Sequence, residues 1–223
     1  MTDGIRLIEV KEDILSDNTK VAIELREELR KKKVFLLNLM SSPGAGKTSL
    51  ILRTIEQLKN DLRIAVIEAD IDSIVDSEKV AAQGITAVQL RTGGFCHLDA
   101  SMVKMGLEAL PPAQHDLIII ENVGNLVCPA EFDTGATRNA MILSVPEGDD
   151  KPLKYPLMFS VCNALVISKI DYLGLSDFSV KAVRDRALKL NPEIEIFEVS
   201  SKTGEGIEPW ANWLKTQILQ STK

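Results

Sequence analysis

The sequence predicts an α/β fold, a doubly wound, mostly parallel sheet of about seven strands with helices on both faces. Short apolar runs recur along the chain, and most of them are separated by helical patterns or loops. This alternation indicates βαβ units, and strands without polar alternation indicate a sheet covered on both faces. Ligands of such folds collect at the carboxyl ends of the strands. The seven runs span residues 34–40, 63–69, 86–90, 116–121, 140–145, 163–169 and 194–200.

A charged helical pattern precedes the first strand. Residues 17–32 place Leu25 and Leu29 among many charged side chains, and Asp17 or Asn18 is the expected N-cap. The segment is therefore predicted to be an N-terminal helix with one solvated face.

The length and composition of the chain favour one globular domain. The chain has 223 residues and 45% hydrophobic content, enough to bury a core, and no repeat or linker divides it, so residues 1–223 are predicted to form a single domain. The net charge of -6 argues against a nucleic-acid partner. The chain starts without a secretory signal, and no run approaches the roughly 18 apolar residues of a membrane span. We expect a cytoplasmic protein without a membrane partner.

The first apolar run ends in SSPGAGKTS, and a helical pattern follows it. This context predicts a phosphate-binding loop over residues 41–48, where backbone N–H groups and the helix N-terminus surround phosphates. Lys47 would reach the β- and γ-phosphates, and Thr48 would offer a hydroxyl to Mg²⁺. The pattern departs at Ser41, where the consensus has glycine. The residues expected to contact nucleotide here are Ser42, Pro43, Gly44, Ala45, Gly46, Lys47, Thr48 and Ser49.

Two later loops favour guanine over adenine. The stretch 168–171, SKID, resembles the Asn-Lys-x-Asp element of GTPases: Asp171 could accept both guanine N–H groups, and the Lys169 stem could cover the ring. Serine at position 168 replaces asparagine, which should weaken the usual link to the phosphate loop. The second loop, 200–204, resembles a Ser-Ala-Lys element through Ser201 and Lys202. We therefore expect GTP rather than ATP.

Acidic residues follow two further strands. Asp70, Asp72 and Asp76 follow the second run, and Glu121 ends the fourth run, three residues before Gly124. The latter spacing resembles the Asp-x-x-Gly switch of GTPases. Phosphoryl transfer needs a carboxylate near Mg²⁺ and a group that orients the attacking water. The candidate catalytic residues are Lys47, Asp70, Asp76 and Glu121, the candidate Mg²⁺ ligands are Thr48, Asp76 and Glu121, and Asp72 is interpreted as an exposed loop acid.

Three soft ligands lie in the loops 92–99 and 121–133. Cys96 and His97 follow the third strand, and Cys128 follows the fourth, so the parallel topology could bring them together. Thiolate and imidazole suit Zn²⁺ or Ni²⁺, and a fourth ligand could be water or a second chain. Cys162 is interpreted as a buried hydrophobe. Because Gly124 would respond to the γ-phosphate, Cys128 could move with it and link metal to nucleotide.

Four segments together resemble one family: GGFCHLDA, DLIIIENVGNLVCPAEFD, EGDDKPLKYP and SKID. They resemble the hydrogenase-maturation nickel-insertion GTPases of the HypB type, in the signal-recognition, Min and BioD (SIMIBI) class of P-loop NTPases. The resemblance implies a GTP-dependent homodimer with Zn²⁺ or Ni²⁺ at its interface, on Cys96, His97 and Cys128. It also implies nickel delivery to the [NiFe]-hydrogenase large-subunit precursor, alongside the nickel metallochaperone HypA. The N-terminal Cys-x-x-Cys-Gly-Cys motif and histidine-rich tract of some members are missing, so nickel storage there is not expected.

Three alternatives remain open at the level of sequence. A related GTPase could deliver nickel to urease, a small-molecule kinase could share the fold, or a metal-binding protein could carry a vestigial phosphate loop. Ser41 is the best support for the last of these, and intact Lys47 and Thr48 argue against it.

Overall fold

The computed structural model describes residues 10–70, 75–110 and 115–221. Its strands are β1 Phe35–Ser41, β2 Ile64–Asp70, β3 Thr86–Arg91, β4 Leu117–Glu121, β5 Arg138–Ser144, β6 Ala164–Ser168 and β7 Glu195–Val199. Its helices are α1 Val10–Lys31, α2 Lys47–Leu58, α3 Val75–Ala81, α4 Ala100–Ala109, α5 Cys128–Glu131, α6 Lys151–Lys154, α7 Pro156–Val161, α8 Val180–Leu190 and α9 Ile207–Ser221. Two 3-10 helices span Val145–Glu147 and Ile170–Leu175.

The seven strands form one sheet in the order β3-β2-β4-β1-β5-β6-β7. Every pairing in it is parallel, so the predicted fold class is confirmed and the sheet is fully rather than mostly parallel. Strand β1 lies between β4 and β5, and Leu37 aligns with Ile119 on one side and Arg138 on the other. The carboxyl ends of all seven strands therefore lie at the same edge of the sheet.

Alternate residues of the central strands pack on opposite faces of the sheet. On one face, strand residues such as Leu37 and Ile119 pack with α2, α3 and α9. On the other face, Leu36 and Ile118 pack with α1 and α4, and Met141 and Leu165 pack with α7 and α8. Apolar side chains on both sides explain why the runs show no polar alternation.

Helix α9 closes the first face with an aromatic cluster. Trp210 and Trp213 stack with ring centroids 5.3 Å apart, and Phe197 of β7 lies 5.6 Å from each. The Trp210 indole N–H donates to Thr54 Oγ1 of α2 at 2.9 Å. The helix that follows the phosphate loop is thus tied to the C-terminal helix.

The N-terminal helix begins at Val10, before the predicted start at residue 17. The N-cap prediction is wrong, because Asn18 lies within α1 and uses its buried amide in tertiary contacts. It donates to the Asp133 carbonyl at 2.9 Å and accepts from the Ala100 N–H at 2.9 Å. Among the described helices, none is long and apolar enough to cross a membrane.

Candidate nucleotide and metal sites

The predicted phosphate-binding loop connects the end of β1 to the start of α2. Gly44 and Gly46 have φ of 73° and 104°, a backbone region that favours glycine, and α2 begins directly after Gly46. Ser41 is a fully buried strand residue without positive φ, so glycine is not required there. Its hydroxyl instead accepts a hydrogen bond from Lys47 Nζ at 3.2 Å. The loop retains the geometry that the consensus predicts despite the replacement.

A cleft of about 450 Å³ opens in front of this loop. The Thr48 hydroxyl donates to Glu121 Oε1 at 2.9 Å, and Glu121 is only 5% exposed. The cleft brings together the predicted Lys47, Thr48, Asp70, Asp76 and Glu121. Asp72, which was interpreted as an exposed loop acid, lies outside the described residues.

The helix α3 contributes a charged pair to the rim of the cleft. Lys79 Nζ lies 2.7 Å from Asp76 Oδ1, and both side chains are about half exposed. This hydrogen bond raises the pKa of the Lys79 ammonium. Lys79 was not predicted as a site residue, because a lysine on a charged helix carries no motif.

Glu68 is a second buried carboxyl group that the sequence interpretation missed. It is 3% exposed, lines the cleft and is the register partner of Glu121 on the neighbouring strand. Burial and the nearby Glu121 carboxylate raise its pKa to about 10, and burial also raises the pKa of Glu121. The one available signal was a glutamate inside an apolar run, in VIEAD.

The donor chemistry of the cleft fits Mg²⁺. Glu68 Oε1 and Glu121 Oε2 are buried without a hydrogen-bond partner, and the Thr48 hydroxyl is adjacent. Hard oxygen donors of this kind are the ligands that Mg²⁺ prefers. A divalent cation would offset the cost of burying these acidic groups.

A second pocket of about 300 Å³ lies beside the phosphate loop, and Lys169, Asp171, Ser201 and Lys202 line it. Asp171 Oδ1 accepts a hydrogen bond from Ser200 Oγ at 2.6 Å. The carboxylate is therefore held at the pocket by the second predicted loop. The two predicted guanine loops meet here in space.

Both guanine loops are tied to the nucleotide side of the sheet. The Ser168 hydroxyl donates to the Ala45 carbonyl at 2.7 Å, and Lys169 Nζ donates to the Gly44 carbonyl at 2.8 Å. Serine thus maintains the link that its replacement of asparagine was expected to weaken. Arg53, which the sequence interpretation missed, donates from Nε to the Ser201 carbonyl at 2.7 Å and positions the last loop.

The three predicted soft ligands converge at the same edge of the sheet. Their ligand atoms all lie within 4.8 Å of one another. Cys96 Sγ lies 2.9 Å from Cys128 Sγ and 3.9 Å from His97 Nδ1. All three residues are half-buried, so the cluster is accessible from solvent.

The surroundings favour a neutral imidazole and paired thiols. The His97 ring stacks on Phe132 at 3.8 Å between centroids, and burial lowers its pKa. The hydrogen bond with Cys96 and burial raise the pKa of Cys128. Neutral imidazole is the form that binds metal, whereas each thiol must lose a proton. Cys162 lies in the core, where burial raises the pKa of its thiol. This agrees with its interpretation as a buried hydrophobic residue.

The nucleotide and metal loops are in direct contact. Asn122, which follows Glu121, is fully buried, and its Oδ1 accepts from the Leu98 N–H at 3.3 Å. A Cβ placed on Gly124 would lie 2.9 Å from Pro43 Cα, so that backbone packs directly on the phosphate loop. Asn122 and its contact were missed, since sequence alone does not reveal the partner of a buried amide.

Comparison with known proteins agrees with this arrangement. Residues 35–198 match the family model described as CobW/HypB/UreG, nucleotide-binding domain. The chain is 44% identical to hydrogenase maturation factor HypB of Escherichia coli (strain K12), covering 95% of this chain and 73% of that one. It is 42% identical to hydrogenase/urease maturation factor HypB of Helicobacter pylori (strain J99), covering 96% and 91%.

A solved structure extends the agreement to the fold. The crystal structure of HypB from Helicobacter pylori in complex with nickel superposes with a TM-score of 0.87 at 40% identity, covering 93% of this chain and 97% of that one. This chain belongs to the CobW/HypB/UreG nucleotide-binding family, and within it to the HypB hydrogenase maturation GTPases.

Proposed function

We propose that this protein binds GTP with Mg²⁺ in the cleft and uses GTP hydrolysis to control nickel delivery during [NiFe]-hydrogenase maturation. The observation that carries the proposal is the convergence of Cys96, His97 and Cys128 within 4.8 Å. Cys96 and His97 follow β3 and Cys128 follows β4, the two strands that flank β2, and β4 ends in Glu121 of the cleft. A soft-metal cluster at this place is suited to exchange its cargo when the nucleotide changes.

We propose the following roles for the residues of the two pockets. Lys47 would pair with the β- and γ-phosphates, and Asp171 would accept the guanine N–H groups. Pro43, Gly44, Ala45, Gly46 and Ser49, which line the two pockets, would surround the phosphates together with Ser42, the residue before Pro43. Lys169, Ser201 and Lys202 would surround the base. Mg²⁺, when bound by Thr48, Asp76 and Glu121, would neutralise phosphate charge. Asp70, Asp76 and Glu121 are the groups proposed to orient the attacking water.

The metal cluster supports dimerisation as part of the function. Three side chains fall one short of a closed tetrahedral site, so a second copy or a water would complete it. We propose that the GTP-bound form is a homodimer in which the two clusters face each other. Either Zn²⁺ or Ni²⁺ suits two thiolates and an imidazole, and Ni²⁺ is the proposed cargo.

The proposed partners follow from family membership. The nickel metallochaperone HypA would supply nickel, and the [NiFe]-hydrogenase large-subunit precursor would receive it. The cytoplasm, which provides GTP and keeps thiols reduced, is the proposed location. Urease is a second candidate client, because the Helicobacter pylori relative is named a hydrogenase/urease maturation factor.

One sizing experiment tests the proposal. The nucleotide-free, GDP and GTP-analogue forms are run with and without Ni²⁺, and the nickel content of each peak is measured. We expect a dimer in the GTP-analogue form and nickel that depends on nucleotide state. A monomer with constant nickel content in every condition would contradict the proposal.

A further inference from the structure

Two buried acidic side chains face each other across neighbouring strands at the phosphate cleft. Glu68 of β2 and Glu121 of β4 are register partners, 3% and 5% exposed, and both line the cleft. Thr48 joins this pair through its hydrogen bond to Glu121. Glu68 is thus built into the sheet rather than into a loop, and its position is fixed by strand pairing.

The pair is incompletely satisfied. Glu68 Oε1 and Glu121 Oε2 are buried and have no hydrogen-bond partner. Two ammonium groups line the same cleft and their charges act on the pair, but their hydrogen bonds go to other residues, from Lys47 to Ser41 and from Lys79 to Asp76. Leaving such oxygens buried without a partner is costly, which indicates a ligand that supplies positive charge at this place.

We infer that Glu68 is a further ligand of the divalent cation that accompanies the nucleotide, supplying a carboxylate oxygen beside Glu121. This inference rests on the proposed nucleotide site. Mg²⁺ is commonly held by one or two carboxylates together with substrate phosphates, and the two register partners supply such a pair. Asp76 is less suited to hold the cation rigidly, because it is about half exposed and paired with Lys79.

Mn²⁺ binding to the GDP complex tests the role of Glu68, with electron paramagnetic resonance as readout. Glu68→Gln keeps the shape of the side chain and removes its charge. We expect about 10- to 100-fold weaker Mn²⁺ binding, while GDP affinity measured in EDTA stays within about twofold of wild type. Glu198→Gln is the matched control, since this strand glutamate pairs with Arg184 outside both pockets and should leave Mn²⁺ affinity unchanged.

A second variant keeps the test informative if Glu68→Gln does not fold. Glu68→Asp keeps the charge on a shorter stem and should bind Mn²⁺ more weakly than wild type but more tightly than Glu68→Gln. If both variants bind Mn²⁺ as tightly as wild type and still bind GDP, the proposed role of Glu68 is wrong and the proposed function is unaffected. A wild-type protein that binds no guanine nucleotide would instead overturn the proposed function and this inference with it.

Discussion

The side-chain carbonyl of Asn122 accepts a hydrogen bond from the backbone N–H of Leu98, which joins the residue after Glu121 to the residue after His97. The same oxygen accepts from the Val123 N–H at 2.8 Å, and Nδ2 donates to Asn38 Oδ1 at 3.0 Å. A fully buried amide with these partners fixes the two functional loops relative to each other. We therefore expect any movement of the segment after Glu121 to reach the loop that carries Cys96 and His97.

We expect Asn122→Ala to uncouple nickel from nucleotide. In wild type, Ni²⁺ should change GTP-analogue affinity by about 5- to 150-fold, the usual range for coupled sites. In the variant this factor should approach one, because the Leu98 N–H loses its acceptor, and stability should fall by about 1–3 kcal/mol. Calorimetric titrations of analogue with and without Ni²⁺ measure the factor.

Asn139→Ala is the control for this prediction. Asn139 belongs to the same buried network, accepting from Asn38 Nδ2 at 3.1 Å, but it bonds to the Val161 carbonyl rather than to the metal loop. It should lose stability and keep the coupling. Equal coupling in Asn122→Ala and wild type would show that the contact is structural only.

Lys47→Ala should strongly reduce the rate of GTP hydrolysis. Its ammonium is buried and lines the cleft proposed to hold the phosphates, so hydrolysis should fall by at least about 100-fold. Phosphate release under saturating GTP measures the effect. Lys59→Ala, at the exposed end of the same helix, should retain wild-type turnover. Unchanged turnover in Lys47→Ala would reject the phosphate-loop assignment.

Asp171→Asn should change the preferred base from guanine to xanthine. The amide oxygen can still accept from Ser200, but the acceptor pair for the guanine N–H groups is lost. Competition binding should show GTP weakened by about 10- to 100-fold and xanthosine triphosphate improved. Asp177→Asn, exposed outside the pocket, should change neither. If the Asp171 variant still excludes xanthosine triphosphate, that carboxylate does not recognise the base.

Cys96→Ala and Cys128→Ala should each weaken Ni²⁺ and Zn²⁺ binding by at least about 100-fold, because each removes one of three ligand atoms. GTP affinity without metal should persist, since neither thiol lines the nucleotide cleft. Metal titration with a chelator competitor is the measurement. Cys162→Ala serves as the control, because its buried thiol lies in the core and should cost stability without affecting metal. Undiminished metal affinity in the first two variants would assign both cysteines to packing.

Parallel topology explains how much of the site was predictable. Strand ends in such a sheet meet at one edge, so Cys96 and Cys128 could be placed together although they are far apart in sequence. Glu68 and Asn122 could not be predicted in the same way, because their roles depend on strand register rather than on where a strand ends. A polar residue within or directly after an apolar run reveals neither the side it faces nor its partner, and strand register decides both.

Local patterns also failed where tertiary contacts took precedence. Asn18 has the chemistry of an N-cap, yet its amide bridges α1 to Asp133 and Ala100. Likewise Ser168 departs from the asparagine of the motif, yet its hydroxyl reaches the Ala45 carbonyl. Side-chain chemistry indicated that a bond would form in each case, and only the packed structure identified its partner.

The aromatic cluster on α9 provides a spectroscopic reporter. The chain has two tryptophans, and both lie in this cluster, on the face that carries α2 and next to the loop that leads from β7 into α9. Leu98, beside the metal ligands, packs on the opposite face. Intrinsic fluorescence at 295 nm excitation therefore reports on the face that carries α2 and α9, and a nickel-induced change in emission would be an optical signal that has crossed the sheet.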